Sequence, residues 1–572
     1  MQNQGHLWKL NLEITKEKGC KMTKLYSPYS SVMRRLTNLL ILFAALLCFT
    51  SCQDETPIEK YTAQRVLVIG NSSEPQSLDP QVVTGVIESN IIRSIFEGLC
   101  VEHPSKEGVH LPGAAEKWSS NEDFTEWTFH LQPNGKWSDG HAVTTEDFLF
   151  AYQRILSPDF AAKYASMLYY IVGAEDFNKG ETTDFSTVGV EALDSHTLKI
   201  SLRASIPFLP DLTKHYTWYP VPKHIVLKYG EMTTPNNVWT DEGNIVGNGA
   251  FQLKTWKFND QIFVEKNPYY WDSETVKLKG IRFLPVMNQY TEARMFFNDQ
   301  LHVTYGLAPE MIEYSKTESP ESLRQETYLG SSFLRLNVTS EKLKDINLRK
   351  ALAYSIDSQS IIDNILKGGQ TAAYGLTPPM GEYQPPKATS YNPEKAKEFL
   401  NKANIADPSK LKLVLLTTDR ETSKIMAEAF QDMWKKNLGI DIEIQQREWK
   451  TYLDRMSNLD YDISTGGWIG DYPDPTTFLD MWKKGDGNNR TGWSNANYEA
   501  TLHEAEKIQN PTERIRKLEQ AEAIFLSEMP IIPVYWFTTN YLLHPSVKGW
   551  EPLLLNNHPY KFVELVPQQK KQ

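Results

Sequence analysis

LKLVLLTTDRETSKIMAEAFQDMWKKNLGIDIEIQ, residues 411–445, decides the fold class. LKLVLLT is a run of β-formers, and SKIMAEAFQDMWKK has helical spacing, with Ile425, Ala429 and Trp434 roughly on one side. Gly439 stops the helix, and IDIEIQ is a second strand. A strand, a helix and a strand in succession form a crossover. Crossovers join parallel strands, so the chain contains an α/β domain. Ligands of such sheets collect beyond the carboxyl ends of the strands.

Just past the next probable strand end lies GGWIGDYPDP, residues 466–475. Glycines at 466, 467 and 470 would leave main-chain donors and acceptors open to a ligand. A carboxylate among them, Asp471, suits a cation. The competing reading is a turn aspartate in a proline-rich loop.

Outward from this region the chain reads as mixed strands and helices. VLVIG from residue 66 is a buried strand, and an apolar-periodic helix follows through Ile91, Ile95 and Phe96. Residues 124–137 read as strand, turn and strand start. Thr144 caps a helix with Asp147 three positions on, and Phe148, Ala151, Tyr152 and Ile155 share its inner face. The segment from Phe251 alternates as a hairpin. Residues 344–367 read as two helices, with Asp357 capping the second and Gly368-Gly369 ending it.

At 572 residues the chain exceeds one compact core. Its net charge of −11, with no basic block, excludes nucleic acid as a natural partner. Aromatics make up 12% of the residues, a surplus that suits enclosing a ligand or filling large cores. No phosphate loop, nucleophile elbow or CxxC is present. His503-Glu504 begins a zinc motif that Lys507 breaks. No enzyme chemistry, cofactor or metal is therefore expected.

Near the start, Met33-Arg34-Arg35 precedes the apolar run 36–50, which is too short for a comfortable membrane span. Positive flank, short apolar core and small residues mark a secretory signal. Phe49-Thr50-Ser51-Cys52 resembles a bacterial lipobox, with Phe49 where Leu or Val is usual. That implies residues 1–51 as leader, lipidation at Cys52 and a polar tether over 52–57. Cys100 would then be the one thiol of the mature chain, packed as a small apolar residue.

Several stretches together carry a wider resemblance: 77–99, 127–154, NIVGNGAF at 244–251, NLRKALAYSID at 347–357, EWKTYLD at 448–454, the 466–480 segment and IIPVYWF at 531–537. In order and spacing they resemble the extracytoplasmic solute-binding proteins of the peptide and nickel transporter family, closest to its oligopeptide-binding branch. The resemblance implies a two-lobed, type II binding-protein fold with an extra domain inserted in the first lobe. The first lobe would comprise 58–96, 222–325 and 538–572, the insert 97–221 and the second lobe 326–537, with the hinge near 325 and 537. It implies a monomeric receptor for an ABC importer's permease and ATPase subunits, held to the membrane by the lipid on Cys52. The ligand is an oligopeptide or, as the alternative, a murein peptide.

Residue by residue, Asp471 would hold the ligand's ammonium. Gly467, Trp468, Ile469 and Thr465 would line the second-lobe side, joined by Trp449 and Phe537. Tyr164 would reach in from the insert, and Val86 would meet the ligand backbone from the first lobe. Met456 and Thr465 stand where oligopeptide binders often carry arginine, so the far end of the ligand is expected to be held less by charge. Arg455 is the neighbouring candidate to replace them, on a strand where a one-residue shift changes faces.

Overall fold

The computed structural model describes residues 55–568 apart from 235 and 236, and omits the side chain of Lys450. The leader, Cys52 and the first half of the tether lie outside the described residues.

The crossover forms as read. Strands Lys412–Thr418 and Asp441–Arg447 run parallel in register from Lys412↔Asp441 to Thr418↔Arg447, joined by the helix Glu421–Leu438. Gly439 takes the left-handed conformation (φ 71°) and caps the helix through its N–H. The buried face is Met426, Ala427, Phe430, Trp434 and Leu438. Ile425, expected on that face, is exposed, because the i, i+4 row through 426, 430 and 434 points to the sheet.

The strand Ile463–Ile469 adds parallel to Lys412–Thr418 through Leu415↔Ile463 and Leu416↔Ser464. Its other side pairs antiparallel with Leu323–Leu336, from Gly330↔Ile469 to Leu336↔Ile463. Ile531–Leu542 and the short Thr371–Ala372 complete a six-stranded sheet. Leu334, Leu336 and Ile463 pack on the crossover helix side. Leu329, Phe333 and Ile531 face a second layer with Trp482, Trp493, Tyr498 and Phe525.

A separate four-stranded sheet sets Val66–Gly70 parallel to Gly280–Leu284, followed by the hairpin Gln261–Lys266 and Phe251–Lys257. An antiparallel sheet of Ala115–Ser120, Glu126–Leu131, Thr197–Ser201 and Val190–Asp194 forms the third layer. After Leu131 no second strand follows; Lys136 makes only an isolated bridge to Ala142. The helix Thr145–Leu156 carries its Thr144/Asp147 capping box and buries Phe148, Ala151, Tyr152 and Ile155. Asp357 caps the short helix Ser358–Ile361 through Ser360 N–H. Cys100 is free and buried, and burial pushes its thiol up to about 12.

Two strands connect the sheets. Leu323–Leu336 pairs with Ile531–Leu542 first over 323–327 and again over 331–335, with the ladder interrupted between Thr327 and Ser331. Past Leu542 the chain bridges to Val303, which bridges to Ile69 of the first sheet. The structure is thus an α/β fold of two lobes, with Thr56–Gln572 forming one compact unit. Among the described residues, no helix is long and apolar enough to cross a membrane.

Candidate functional site

Lys412–Thr418, Asp441–Arg447 and Ile463–Ile469 all end at one edge of the six-stranded sheet. Beyond Ser464 the Ile463–Ile469 strand loses its neighbour on the Lys412–Thr418 side. The backbone edge of Thr465, Gly466, Gly467, Trp468 and Ile469 is therefore unladdered on that side among the described residues. An unpaired strand edge is a template for another strand.

The glycines also make room for the protein's own side chains and backbone. A Cβ at Gly466 would fall 2.1 Å from Arg335 Nη1, and one at Gly467 would fall 2.8 Å from the Phe537 ring and 2.9 Å from Ser331 O. At Gly470 the neighbours are Leu329 and Thr477. Their missing side chains admit residues of the protein itself, packed against the strand. Phe537 is half-buried, close to Tyr535 and to Tyr328.

Asp471 follows the strand. Its N–H donates to Thr477 Oγ1 at 2.8 Å. Its carboxylate meets His215, with Oδ1 3.6 Å from Nε2, and 14% of the side chain is exposed. Burial and the nearby Arg93 hold His215 down at about 3, so it stays neutral and offers Asp471 no charge. Burial raises Asp471 itself to about 7. Among the described residues this carboxylate has no cationic partner. Tyr164, nearly buried, stands edge-on to His215 and Tyr216 at ring separations of 5.7 and 6.4 Å. Burial, with Asp471 nearby, raises the hydroxyls of Tyr164 and Tyr216. A pocket of about 490 Å³, counting its open mouth, adjoins Asp471; Arg93, Glu102, Lys106, Lys214 and Pro473 are among its walls.

Trp468 is half-buried between two cores, and its indole N–H is buried without an acceptor. Thr465 gives its hydroxyl to Thr417 at 3.1 Å, and its carbonyl accepts from Tyr452. Trp449 is 48% exposed beyond the carboxyl end of Asp441–Arg447, stacked on Tyr452 with Arg420 6.0 Å from its ring centre. Val86, half-buried, opens the helix Val86–Ile95, whose N-cap Gly85 provides no side-chain cap.

One expectation fails here. Arg455 lies on a helix, Trp449–Ser457, and not on a strand. It is also occupied: Nε binds Asp460 at 2.8 Å and Nη1 binds Gln445 at 2.7 Å. Met456 is buried among Leu416, Tyr452 and Tyr461. The residues missed by sequence reasoning are His215, Tyr216, Arg335 and Arg490. Arg335 had a signal, since it interrupts the apolar strand SSFLRLN at 331–337. Away from this region, Asp139, His141 and His224 cluster at the surface, where Asp139 takes the His224 Nε2 contact at 2.6 Å and a His141 contact at 3.1 Å.

Comparison with known proteins follows the same lines. Residues 111–490 match the model of the bacterial extracellular solute-binding proteins, family 5. The chain is 34% identical over 499 residues to the periplasmic oligopeptide-binding protein OppA of Salmonella typhimurium, covering 85% of this chain and 90% of that one. The Haemophilus influenzae OppA complex with the peptide RPPGFSPFR superposes with a TM-score of 0.80 at 32% identity, over 88% and 99% of the two chains. The Escherichia coli murein tripeptide binding protein MppA gives 0.80 at 30% identity, over 87% and 98%; MppA in its unliganded open form gives 0.64. The shared sheet, the peptide-binding relatives and the match over most of the chain make it a member of the bacterial extracellular solute-binding proteins, family 5.

Proposed function

We propose that this chain captures oligopeptides in a cleft between its lobes and presents them to an ABC importer while anchored by a lipid on Cys52. The observation that carries this reading is the open strand edge Thr465–Ile469 leading into Asp471, a largely enclosed acid with no cationic partner among the described residues. A receptor for many peptides must grip what all peptides share, the main chain and the termini. An extended peptide adds to the edge, and its ammonium supplies the missing charge. Tyr164 and Val86 approach from the insert and the first lobe, and Trp449 and Trp468 bound the side-chain pockets. The lobes are those the resemblance implies: 58–96, 222–325 and 538–572 against 326–537, with 97–221 inserted. The relatives named as peptide-binding proteins support the reading.

A murein peptide is the second candidate, favoured by the likeness to MppA. Mass spectrometry of the ligand retained on purification separates the two. The test of the clamp is calorimetry with free and N-acetylated peptides on the wild type and on Asp471→Ala. Stranding a buried ammonium costs about 3–5 kcal/mol, or roughly a hundredfold to several thousandfold in Kd. Acetylation should therefore hurt the wild type severely and the variant little. Equal losses in both would return Asp471 to the role of a turn residue. For the anchor, Cys52→Ala should move the protein from the membrane fraction to the soluble one; retention in the membrane fraction would refute lipidation at Cys52.

A further inference from the structure

Away from the proposed peptide site, one tight turn and one helix bring three metal-binding side chains together. Residues 136–142 fold back on themselves. Lys136 bridges to Ala142, Trp137 N–H donates to the His141 carbonyl at 2.8 Å, and Gly140 N–H donates to the Trp137 carbonyl at 2.9 Å. Gly140 makes the turn at φ 91°, a conformation that favours glycine. The turn is anchored from beneath. Trp137 is fully buried with its indole N–H 3.3 Å from Asp147, and Ser138 N–H donates to the Gly247 carbonyl at 2.8 Å. Facing it is the helix Lys223–Tyr229, entered through Pro222 and seated by the buried Ile225 and Val226. His224 lies in the first turn of that helix.

The Asp139 carboxylate is oriented by its own turn, since Oδ1 accepts the His141 backbone N–H at 3.1 Å. Its other oxygen, Oδ2, lies 2.6 Å from His224 Nε2 and 3.1 Å from His141 Nδ1. The three ligand atoms all fall within 4.8 Å of one another, the one such group of His, Cys and acidic side chains among the described residues. Bonds of about 2.0–2.2 Å in a tetrahedral zinc site set neighbouring ligand atoms about 3.3 Å apart. The Asp139 and His224 side chains are 25% and 33% exposed, while that of His141 is 67% exposed and can turn to close the geometry. Both rings face the same carboxylate oxygen, and a cation entering between them takes up the lone pairs of all three groups. Lys223, the neighbouring cation, is drawn away to Glu146 at 3.3 Å. Two imidazoles and a carboxylate suit zinc and the related transition metals; calcium and magnesium prefer oxygen alone.

We propose that Asp139, His141 and His224 form a binding site for a zinc-type divalent metal ion, with Asp139 Oδ2, His141 Nδ1 and His224 Nε2 as its ligands and the remaining position open to water. The ion ties together two elements whose ligands, Asp139 and His224, stand 85 residues apart in the chain. On the proposed lobe division, residues 136–142 belong to the insert and Lys223–Tyr229 to the first lobe, so the metal staples one to the other. A ligand that binds only the folded arrangement stabilises it, and this one binds across a joint between elements. The site is independent of the peptide reading and stands or falls without it. His503 offers a contrast on the same surface chemistry: its Nδ1 lies 3.4 Å from Glu506, but that carboxylate is already engaged by Arg203 and Lys483.

The test is calorimetric titration of the full chain, free of any affinity tag, with zinc chloride. Zinc should saturate one site with a Kd below about 100 μM. His141→Ala and His224→Ala should each weaken that site about tenfold or more, whereas His503→Ala should leave it unchanged. Zinc should raise the Tm of the wild type and of His503→Ala and have little effect on the other two, and calcium or magnesium should shift none of them. X-ray absorption at the zinc edge should show two imidazole ligands at about 2.0–2.1 Å. Both His variants expose their substitution at the surface; should either fail to fold, the absorption spectrum of the zinc-loaded wild type still counts the imidazoles. Absence of saturable zinc binding, affinities in both His variants within threefold of the wild type, or a zinc spectrum without imidazole would each overturn the proposal. An equal Tm shift from calcium would overturn it as well, because oxygen ligands alone would then account for the binding.

Discussion

Burial lifts the Asp471 carboxyl of the ligand-free protein from 3.8 to about 7, so protonated and ionised forms coexist near neutral pH. Below about pH 4 both folded and unfolded chains hold that proton. Between 4 and 7 the folded chain alone keeps it, so Asp471 erodes stability as pH rises, and above 7 the cost is constant. A shift of this size corresponds to about 4 kcal/mol. Asp471→Asn should therefore raise the apparent Tm of the ligand-free protein at pH 8 and change it little at pH 4; equal shifts at both would contradict the burial account. Capture of an ammonium needs the ionised acid. Affinity should fall up to tenfold per unit as pH drops below 7, with one proton released per peptide bound, and calorimetry in buffers of different ionisation heat reads that proton directly. Asp471 itself was legible in the sequence as an acid among glycines. Arg335 was passed over, although a lone arginine in an apolar alternating strand is a visible anomaly.

Among the elements, the Ile463–Ile469 strand is packed to the limit on one face and unladdered along one edge. Gly467→Ala drives a Cβ into the Phe537 ring and the Ser331 carbonyl, and the carbonyl cannot rotate away. Such overpacking costs about 1–3 kcal/mol, so the apparent Tm should drop. Gly466→Ala meets only the end of the Arg335 side chain, which can move, and should cost less stability. An equal Tm loss in both would show that the backbone, not these neighbours, requires glycine. The sequence could not give this reading, since residues 331 and 335 reach the strand from more than a hundred positions away and 537 from 70. Periodicity did give the crossover, the Thr144 capping box and the Asp357 cap, each set by neighbours within a few residues. It placed the inner face of Glu421–Leu438 one position off, because Ile425 and Met426 are equally apolar and the sheet alone chooses between them.

For the whole molecule, residues 97–221 and 326–537, the proposed insert and second lobe, touch through several polar and aromatic contacts. Tyr170 donates to Asp480 at 2.8 Å, Phe208 stacks on Tyr472 at 5.6 Å, and Arg203 meets Glu506 at 2.9 Å. The lower TM-score against the unliganded open form of MppA fits an arrangement with the lobes together. Tyr170→Phe combined with Arg203→Ala should expand the ligand-free protein in small-angle scattering and weaken peptide binding several-fold, while a saturating peptide restores the compact profile. Unchanged dimensions in the ligand-free variant would show that these contacts do not hold the lobes. On the proposed lobe division, the joint is the pair of strands whose ladder lapses between Thr327 and Ser331. Gly330, inside that lapse, is the ladder partner of Ile469 at the end of the proposed docking edge. A peptide laid on that edge would therefore splint the joint directly, with no relay of intermediate residues. If the proposed peptide docks there, seizing it and stiffening this joint are a single mechanical event.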